Sequence, residues 1–277
     1  DLTLESGGRI SATATETARE GKAGTITVTA DRVNLSGENS GLFAQTFGNL
    51  SAGELKLQPN QDVGSLIVNL ADNAQISAST SSSGEGGTLT ITAPESITLT
   101  GDGSIVSAET SGSGTGGDLI FDTGKLTVKD NAEVSVSSVD SGEAGGLTVN
   151  ADSILLDNQG KIRADTTGGG GDISVNSPLL VLRRGSSITT NASGNEISGG
   201  NITIDGENGF IVALPWENSD IRADSEDFRG GDVTIKNTAG IYGIFPRNEP
   251  LPNSSDITVK GATPDLEGNI EVNPPEL

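Results

Sequence analysis

The stretch GGTLTITAPESITLTGDGSIVSAET at residues 86–110 is followed by GGDLIFDTGKLTVKDNAEVSVSS at residues 116–138, which repeats it in outline. In both copies the apolar residues stand two apart with polar residues between them. This is the spacing of β-strands, and no run has a helical period. Each copy therefore contains three short strands. The expected inward residues of the first copy are Leu89, Ile91, Ile97, Leu99 and Ile105, with Ala108 close to the last.

The repeat extends over nearly the whole chain. Glycine pairs begin at residues 86, 116, 145, 170, 199 and 230, an earlier copy spans 23–46, and a shortened last copy spans 267–277. A strand this short cannot bury its apolar face alone, so it must stack on its counterparts in neighbouring copies. Three strands per copy describe one coil. The pattern predicts an all-β chain that forms a single domain, residues 1–277, as a parallel β-helix of about nine coils.

The chief rival is a β-sandwich with regularly spaced strands. Its hairpin loops would not explain why the same glycine-rich corner returns in each copy, so the β-helix is preferred. In the copy that begins at Gly199, the second strand is then expected to point Phe210 and Val212 into the core.

Two stretches interrupt the rhythm. Residues 51–78 are expected to form an irregular coil, and the Pro-rich segment 245–255 a loop inserted before the last coil and C-terminal end, residues 256–277. Most aromatic residues lie in the last third of the chain, and two interpretations of them stay open. One is a loop packed against the side or end of the rod, where a solenoid needs a cap. The other is a ligand platform, with a sugar stacked on Trp216.

Composition excludes several classes of function. The chain has 16 Lys and Arg against 38 Asp and Glu, a formal net charge of −22, which makes nucleic acid an unsuitable partner. It contains no Cys, His or Met, which excludes thiol nucleophiles, disulfides, thiolate or imidazole metal sites and histidine bases. Apolar runs are only a few residues long, so no membrane insertion is expected. The absence of a signal peptide before Asp1 suggests a mature chain or a fragment of a longer exported protein.

The order of motifs in the second half resembles a known family, the cyanobacterial filamentous-haemagglutinin-like exoproteins of two-partner secretion, in their C-terminal repeat region. The similar stretches are LLVLRRGSSITTNASG at 179–194, GGNITID at 199–205, FIVALPWENSDIRADS at 210–225, GIYGIFPR at 240–247 and SDITVKG at 255–261. The resemblance covers essentially the whole chain and is clearest over 170–277. It implies a right-handed β-helix, export through an outer-membrane transporter partner, and a place outside the cell. The family's N-terminal secretion domain is not matched, and the family has no general catalytic motif to transfer.

These observations predict a non-catalytic structural or adhesive rod, secreted or on the outer cell surface. It would act in extracellular fibre or matrix formation or in surface adhesion. Its expected partners are further copies of itself, stacked end to end, or extracellular glycans and surfaces. The alternative, from a different class, is a glycan-binding or polysaccharide-degrading β-helix protein.

A third hypothesis is ice binding, because many outward residues of the first strands are threonines. The central outward residues are Thr27, Thr90, Ile120, Thr148, Ser174, Thr203, Thr234 and Glu271. Their flanking residues do not maintain a regular lattice, so a ladder of residues with high β-propensity is preferred.

Aspartates recur after the glycine pairs, at Asp118, Asp172 and Asp232, and Asn201 takes the same place in another copy. They are either solvated corner carboxylates or the oxygen ligands of a weak Ca²⁺ site. The tandem nine-residue glycine–aspartate repeat of calcium-binding β-rolls is absent, and no other cofactor is expected.

One charged cluster lies around the third strand of the copy that begins at Gly199. It comprises Asp220, Arg222, Asp224, Glu226, Asp227 and Arg229, and the matching positions one and two copies earlier are Thr189 and the pair Arg163 and Asp165. A glycosidase needs two carboxyl groups, one with a raised pKa. The cluster is expected to be exposed at strand ends and turns, where nothing raises a pKa, and so to form a charged face with ion pairs.

If the chain binds a ligand on its surface, the expected contact residues are Trp216, Asp220, Arg222 and Asp224. Arg183 and Arg184 are expected to flank a corner as rim charges rather than to form an anion site.

Overall fold

The computed structural model describes residues 1–15 and 23–273, and this part of the chain is built almost wholly of strands. Residues 16–22, inside the expected domain, and residues 274–277, at the end of the expected last coil, lie outside it. The elements are β1 (Leu2–Glu5), β2 (Arg9–Ser11), β3 (Ile26–Ala30), β4 (Arg32–Ser36), β5 (Gly41–Phe43), β6 (Leu55–Pro59), β7 (Ile67–Ala71), β8 (Gln75–Ser77), β9 (Leu89–Ala93), β10 (Ser96–Thr100), β11 (Ile105–Ser107), β12 (Leu119–Lys129), β13 (Glu133–Ser135), β14 (Leu147–Asp157), β15 (Lys161–Arg163), β16 (Ile173–Asn176), β17 (Leu179–Leu182), β18 (Ser187–Thr189), β19 (Ile202–Asp205), β20 (Phe210–Ala213), β21 (Asp220–Arg222), β22 (Val233–Lys236), β23 (Gly240–Tyr242), β24 (Phe245–Pro246), β25 (Asp256–Thr258), the short 3-10 helix η1 (Pro264–Leu266) and β26 (Ile270–Asn273).

The strands stack in three parallel ladders. The first ladder is β3-β6-β9-β12-β14-β16-β19-β22-β26, the second is β1-β4-β7-β10-β12-β14-β17-β20-β23, and the third is β2-β5-β8-β11-β13-β15-β18-β21-β25. The long strands β12 and β14 turn the corner and belong to both of the first two ladders. Within residues 1–15 and 23–273 the strands complete eight coils, with two strands before them and one after, close to the predicted nine. A ladder of this depth is about 40 Å long at the usual strand spacing.

This architecture confirms the parallel β-helix and excludes the sandwich, because each strand of a ladder pairs in parallel with its counterpart one coil away. The pairing is in phase: Leu119 lies beside Leu89 on one side and beside Leu147 on the other. Like side chains therefore form continuous apolar columns, and the inward residues of β9, β12 and β14 are almost completely buried. Burial of this kind is the main stabilising term of the fold.

Two inward assignments made from the sequence are wrong by one residue. In β11 the buried side chain is Val106, which pairs with Val134, and Ile105 is partly exposed. In β20 the buried side chains are Ile211 and Ala213, while Phe210 is 43% exposed. Both segments hold consecutive apolar residues, so the sequence alone allows either of two neighbouring residues to point inward. Pairing with the adjacent strand of the ladder determines which one does.

A column of glycines explains why the same corner recurs. Each member stands two residues before the first inward residue of a strand in the first ladder. At seven of the nine positions, a Cβ atom would lie 1.9–2.3 Å from the carbonyl oxygen of the column glycine one coil earlier, a distance no side chain tolerates. The column comprises Gly24, Gly53, Gly87, Gly117, Gly145, Gly171, Gly200, Gly231 and Gly268.

The coil of residues 51–78 supplies β6, β7 and β8, each paired with a strand on both sides, and its surplus residues lie between β6 and β7. In the Pro-rich segment 245–255, strand β24 pairs in parallel with β25 and adds one more rung to the third ladder. Pro246 stands on the outer edge of that rung, where it has no N–H to offer a further strand.

Candidate functional site

A groove runs along the rod beside the third ladder, across the five coils that contain β13, β15, β18, β21 and β25. Its volume is about 570 Å³, and it is lined mostly by short polar side chains. The charged side chains in its lining are Arg163, Arg222, Lys260, Asp165, Asp224 and Glu226. Three positive and three negative groups line the groove. Arg163 and Lys260 also pair with Glu133 and Glu249 beside it, so each of the three cations has a carboxylate partner.

Two arginine–aspartate pairs dominate the groove. Nε of Arg163 donates to Oδ2 of Asp165 at 2.8 Å, and Nε of Arg222 donates to Oδ2 of Asp224 at 2.9 Å. The pairs occupy the same strand position two coils apart, with Thr189 between the arginines in the ladder. Two strand spacings separate them, about 10 Å. The groove thus presents an arginine–aspartate pair twice along its length, and Nη1 of Arg163 also donates to Oε1 of Glu133 at 3.2 Å.

The carboxylates of these pairs also join successive coils. Oδ1 of Asp165 accepts the backbone N–H of Asn191 at 2.8 Å, and Oδ1 of Asn191 accepts the backbone N–H of Asp224 at 3.1 Å. Asp224 accepts the N–H of Lys260 in turn, at 2.8 Å. Each side chain in this column satisfies a backbone donor of the next coil, which holds the aspartates in fixed orientations.

Several polar atoms near the pairs have no hydrogen-bond partner in the described part of the chain. Arg222 uses only its Nε, which leaves its two terminal nitrogens unpaired. Thr189, between the two arginines, is 7% exposed, and its Oγ1 has no partner, nor has Oγ1 of Thr258 on the other side of Arg222. Hydrogen-bonding capacity is therefore concentrated around Arg222.

The four residues expected to form a ligand surface do not come together. Arg222 and Asp224 line the groove, but Trp216 is 69% exposed on the loop between β20 and β21, and Asp220 is not part of the groove lining. The sequence predicted the surroundings of one arginine–aspartate pair. Its expectation that the carboxylates of this cluster are exposed is wrong for Asp220 and Asp224, each of which is 7% exposed.

Asp220 is buried where β21 lies beside β25 in the third ladder. Oδ1 of Asp220 accepts the backbone N–H of Asp256 at 3.0 Å, and Asp256 is completely buried. Burial, with the nearby charge of Asp256 as a smaller contribution, raises the pKa of Asp220 to about 6, although the accepted hydrogen bond opposes this. This overturns the expectation that nothing in the cluster raises a pKa.

Asp256 organises the Pro-rich segment 245–255. Its carboxylate accepts Nε–H of Arg247 at 2.6 Å, the hydroxyl of Ser254 at 2.7 Å and the backbone N–H of Leu251 at 2.8 Å. Three donors, one of them the charged Arg247, compensate for the burial of this group. The Pro-rich segment is therefore packed against the end of the third ladder, as one of the two interpretations of this region proposed.

The aspartates considered as calcium ligands lie on every second coil rather than on adjacent ones. Asp118 accepts the N–H of Gly146 at 2.9 Å, and Asp172 accepts the N–H of Asn201 at 2.8 Å. Asp232 accepts the N–H of Asn269, again at 2.8 Å. Gly146 lies on the coil between Asp118 and Asp172, and Asn201 lies on the coil between Asp172 and Asp232. Successive aspartates are therefore two strand spacings apart, about 10 Å. Among the described residues, no group of three or more acidic side chains is placed to hold a metal ion.

Other candidates occupy separate surfaces. Arg183 donates twice to Glu217, at 2.6 and 2.9 Å, and Arg184 pairs with Asp157, so both flank the corner after β17 as ion pairs. The central outward row of the first ladder includes Lys56 between Thr27 and Thr90, and it does not form a regular threonine lattice.

An exposed aromatic pair was not anticipated from the sequence. The rings of Phe210 and Tyr242 lie 5.9 Å apart on the outer face of the second ladder, and Tyr242 is 56% exposed. Assigning Phe210 to the core concealed this pair.

The groove also contains residues that the sequence did not assign to a ligand surface. Arg163 and Asp165 were recognised only as matching positions, and Asn191 and Lys260 were not considered. The available signal was the third-strand position itself, because outward residues at one position in successive copies must line one face of the rod.

No helix in residues 1–15 and 23–273 is long and apolar enough to cross a membrane. The fold and the groove define the class: a parallel β-helix, or β-solenoid, with a polar groove along one edge. Compared with protein-family models, with curated proteins and with solved structures, the chain matches none of them.

Proposed function

We propose that this chain is a non-catalytic rod that acts outside the cell, in a fibre or matrix or in surface adhesion, and that it needs no cofactor. The β-solenoid is compatible with such a role. The observation that carries the proposal is the unbroken stacking of all three ladders around one apolar core. Each coil contacts only its neighbours, so the molecule is extended and its side faces are free for contacts along its length.

The charge of the chain supports a role as a separate, soluble rod. A net charge of −22 keeps like molecules apart at low ionic strength, and salt or divalent cations screen that repulsion. Association between rods would then occur where backbone groups are unpaired, at the open edges of a ladder.

Location and partners are proposed from the sequence. The resemblance of residues 170–277 to filamentous-haemagglutinin-like exoproteins supports secretion or display on the outer surface. For the full-length protein it also supports passage through an outer-membrane transporter. Further copies of the chain and extracellular glycans are the proposed partners of the rod.

The state of the carboxylates favours a non-catalytic role over polysaccharide degradation. Asp165 and Asp224 each bind an arginine and a backbone N–H of the next coil, so both serve the structure of the rod. Asp220, whose pKa is raised, is buried beside Asp256 and does not line the groove. A glycosidase would need two such carboxyl groups facing one glycosidic bond.

Electron microscopy of the purified chain in negative stain tests the rod, with Ca²⁺ and with chelator. Filaments whose subunit repeat matches one rod length would support assembly through the ends. Isolated short rods under both conditions would contradict fibre formation by this segment, and adhesion would remain as its proposed role. Compact particles without a long axis would contradict the rod itself.

Labelling of intact cells that produce the protein tests its location. An antibody against the chain is expected to bind intact cells or the culture medium. A signal that appears only after lysis would contradict a role outside the cell.

A further inference from the structure

The outer face of the second ladder changes character along the rod. In β4, β7, β10 and β12 its central outward row is polar and consists of Asn34, Asn69, Thr98 and Thr127. In β14, β17, β20 and β23 the same row is apolar and consists of Leu155, Val181, Val212 and Tyr242. The inward columns stay apolar throughout, so the stacking of the coils does not explain this change.

A neighbouring outward row enlarges the apolar area. Leu179 pairs with Phe210 there, and the two side chains are 39% and 43% exposed. The ring of Phe210 lies 5.9 Å from the ring of Tyr242, which is 56% exposed. These side chains form one patch, the apolar face, which comprises Leu155, Leu179, Val181, Phe210, Val212 and Tyr242.

The apolar face carries no charge, on a chain whose formal net charge is −22. The remaining residues of its two rows, Ser153 and Gly240, are uncharged as well. Paired charges stand at its edge where β17 ends, because Arg183 binds Glu217 and Arg184 binds Asp157. An apolar centre with a polar border is the usual arrangement of a protein–protein interface.

The charge pattern selects a second copy of the chain as the partner. Two acidic rods repel each other over most of their surfaces, and they approach each other at the lowest cost where neither carries a charge. A cationic partner would instead be attracted to the acidic surfaces, since the apolar face offers it no carboxylate.

The order of side chains along the face is self-complementary. Leu155 stands at one end, Tyr242 at the other, and Val181 and Val212 lie between them. If two copies face each other with antiparallel rod axes, a two-fold axis between β17 and β20 places Leu155 opposite Tyr242 of the second copy. The same axis places Val181 opposite Val212 of the second copy, so the aliphatic half of each face meets the aromatic half of the other.

We propose that two copies of this chain associate side by side through the apolar face, with their rod axes antiparallel. The inference rests on the proposed function in taking a further copy as the partner. It goes beyond that function because it places the contact on the side of the rod and not at the ends of the ladders. The face is smaller than the roughly 800 Å² that each partner buries in a standard stable interface, so the association is expected to be weak in solution. In a fibre, where many rods lie side by side, such contacts reinforce one another.

Sedimentation equilibrium at chain concentrations up to about 0.5 mM tests the association. The weight-average mass of the unmodified chain is expected to rise with concentration. It should rise further when NaCl is increased from about 0.02 to about 0.5 M, because salt screens the repulsion between acidic rods.

A double variant, Phe210→Lys with Val212→Thr, is expected to associate at least tenfold more weakly. The fold should accept both changes, since Lys125 and Thr127 occupy these rows in β12. The matched control is Ser96→Lys, which adds a lysine to the same row of β10, outside the apolar face, and should change the association less than twofold.

A second variant keeps the test valid if the double variant fails to fold. Leu179→Ser gives β17 the residue that Ser153 supplies at this place in β14, and it removes apolar area without adding a charge. It is expected to weaken the association at least threefold.

Cross-linking tests the orientation of the two copies. The chain contains no Cys, so Leu155→Cys and Tyr242→Cys each introduce one thiol. A bis-maleimide about 10 Å long, the usual distance between packed sheets, is expected to link a mixture of the two variants more efficiently than either variant alone. More efficient linkage within either single variant would contradict the antiparallel arrangement.

The proposal is overturned if the weight-average mass remains that of one chain at every concentration and at both salt concentrations. It is also overturned if the double variant associates as the unmodified chain does, or if salt weakens the association. Filaments that form through the ladder ends would persist in the double variant, so this proposal and the proposed function fail separately.

Discussion

Asp224 reaches from its own coil to the next, where its Oδ1 accepts the backbone N–H of Lys260 at 2.8 Å. Its Oδ2 meanwhile accepts Nε–H of Arg222 at 2.9 Å. The carboxylate of Asp224 thus accepts one hydrogen bond from its own coil and one from the next coil. Because the same place is filled by Asp165 and Asn191 in the two preceding coils, these side chains form a polar column that runs beside the apolar one.

Replacement of Asp224 by alanine is expected to destabilise the rod by about 1–3 kcal/mol, since it leaves a backbone donor and an arginine without their partner. Urea unfolding followed by circular dichroism measures this cost. The neighbouring Asp227 is exposed, and its side chain forms no hydrogen bond or ion pair with the described residues. Asp227→Ala is therefore the control and should change stability by less than about 0.5 kcal/mol. Equal effects of the two substitutions would contradict the structural role of Asp224.

Asp220 is expected to make stability depend on pH between about 4 and 6. Its pKa in the folded chain is about 6, above the ordinary value of 3.8. The folded state therefore binds the proton more tightly than the unfolded state. This contribution is fully present below pH 4, falls as pH rises through this window and is absent above it. Asp220→Asn removes the buried charge and keeps an acceptor for the N–H of Asp256.

The expected result is that Asp220→Asn is more stable than the unmodified chain at pH 7.5, by about 1–2 kcal/mol, and that the difference vanishes near pH 4. Unfolding curves at a series of pH values measure the difference, with Asp227→Asn as the exposed control. A difference that does not change with pH would show that the charge of Asp220 is not the cause.

Two adjacent glycines should differ sharply in their tolerance of a methyl group. At Gly145 a Cβ would lie 2.0 Å from the carbonyl oxygen of Gly117, whereas at Gly146 the nearest atom is Oδ1 of the Asp118 side chain, at 3.3 Å. Gly145→Ala is expected to cost about 2–3 kcal/mol and Gly146→Ala less than about 1 kcal/mol. Melting temperatures of the two variants provide the comparison. Equal tolerance would contradict the close stacking of the glycine column.

Two phenylalanines test which rings support the core. Phe121 is completely buried, and Phe210 is 43% exposed beside Tyr242. Phe121→Ala is expected to destabilise the rod by about 3–5 kcal/mol, because it opens a cavity in the apolar column. Phe210→Ala should cost no more than about 1 kcal/mol. Urea unfolding distinguishes them, and a larger loss at Phe210 would mean that this ring points inward after all.

Removal of Ca²⁺ is expected to leave the melting temperature unchanged. The candidate ligands Asp118, Asp172 and Asp232 stand on alternate coils and each accepts a backbone N–H, so they cannot share one ion. Thermal unfolding with EDTA and with millimolar Ca²⁺ provides the measurement. A rise of several degrees that only Ca²⁺ produces, and Mg²⁺ does not, would identify a site that these contacts do not explain.

The sequence was sufficient for the fold because the decisive information is local and repeated. Alternation such as that of Leu89 and Ile91 defines a strand, and its return in each copy defines a coil. The phase of a strand was ambiguous where apolar residues are consecutive. In the run FIVA at 210–213 four apolar residues are consecutive, and the neighbouring strand β17 places Ile211 above Leu180. Which of these residues points inward depends on the pairing between strands, and the sequence of one strand does not determine that pairing.

The site was less accessible to prediction for a similar reason. Arg222 and Asp224 were selected from their own copy, but the groove exists because Arg163, Asn191 and Lys260 meet them from other coils. The burial of Asp220 depends on Asp256, which lies 36 residues later and stands beside it in the third ladder. The sequence predicted the Pro-rich loop between these two strands, and only the three-dimensional structure shows which residues lie beside Asp220.

The glycine column also determines how a gene could change this molecule. At most of its positions the atom that a side chain would meet first is the carbonyl oxygen of the column glycine one coil earlier. A stretch of coding sequence that begins at one such glycine and stops before the next therefore specifies an interchangeable unit. Duplication or loss of that stretch would change the length of the rod by one coil, about 5 Å. The coils on either side of the change would still stack on each other through equivalent strands. Recombination can therefore change the length of the rod in steps of one coil. Substitution of a single column glycine, in contrast, is not tolerated.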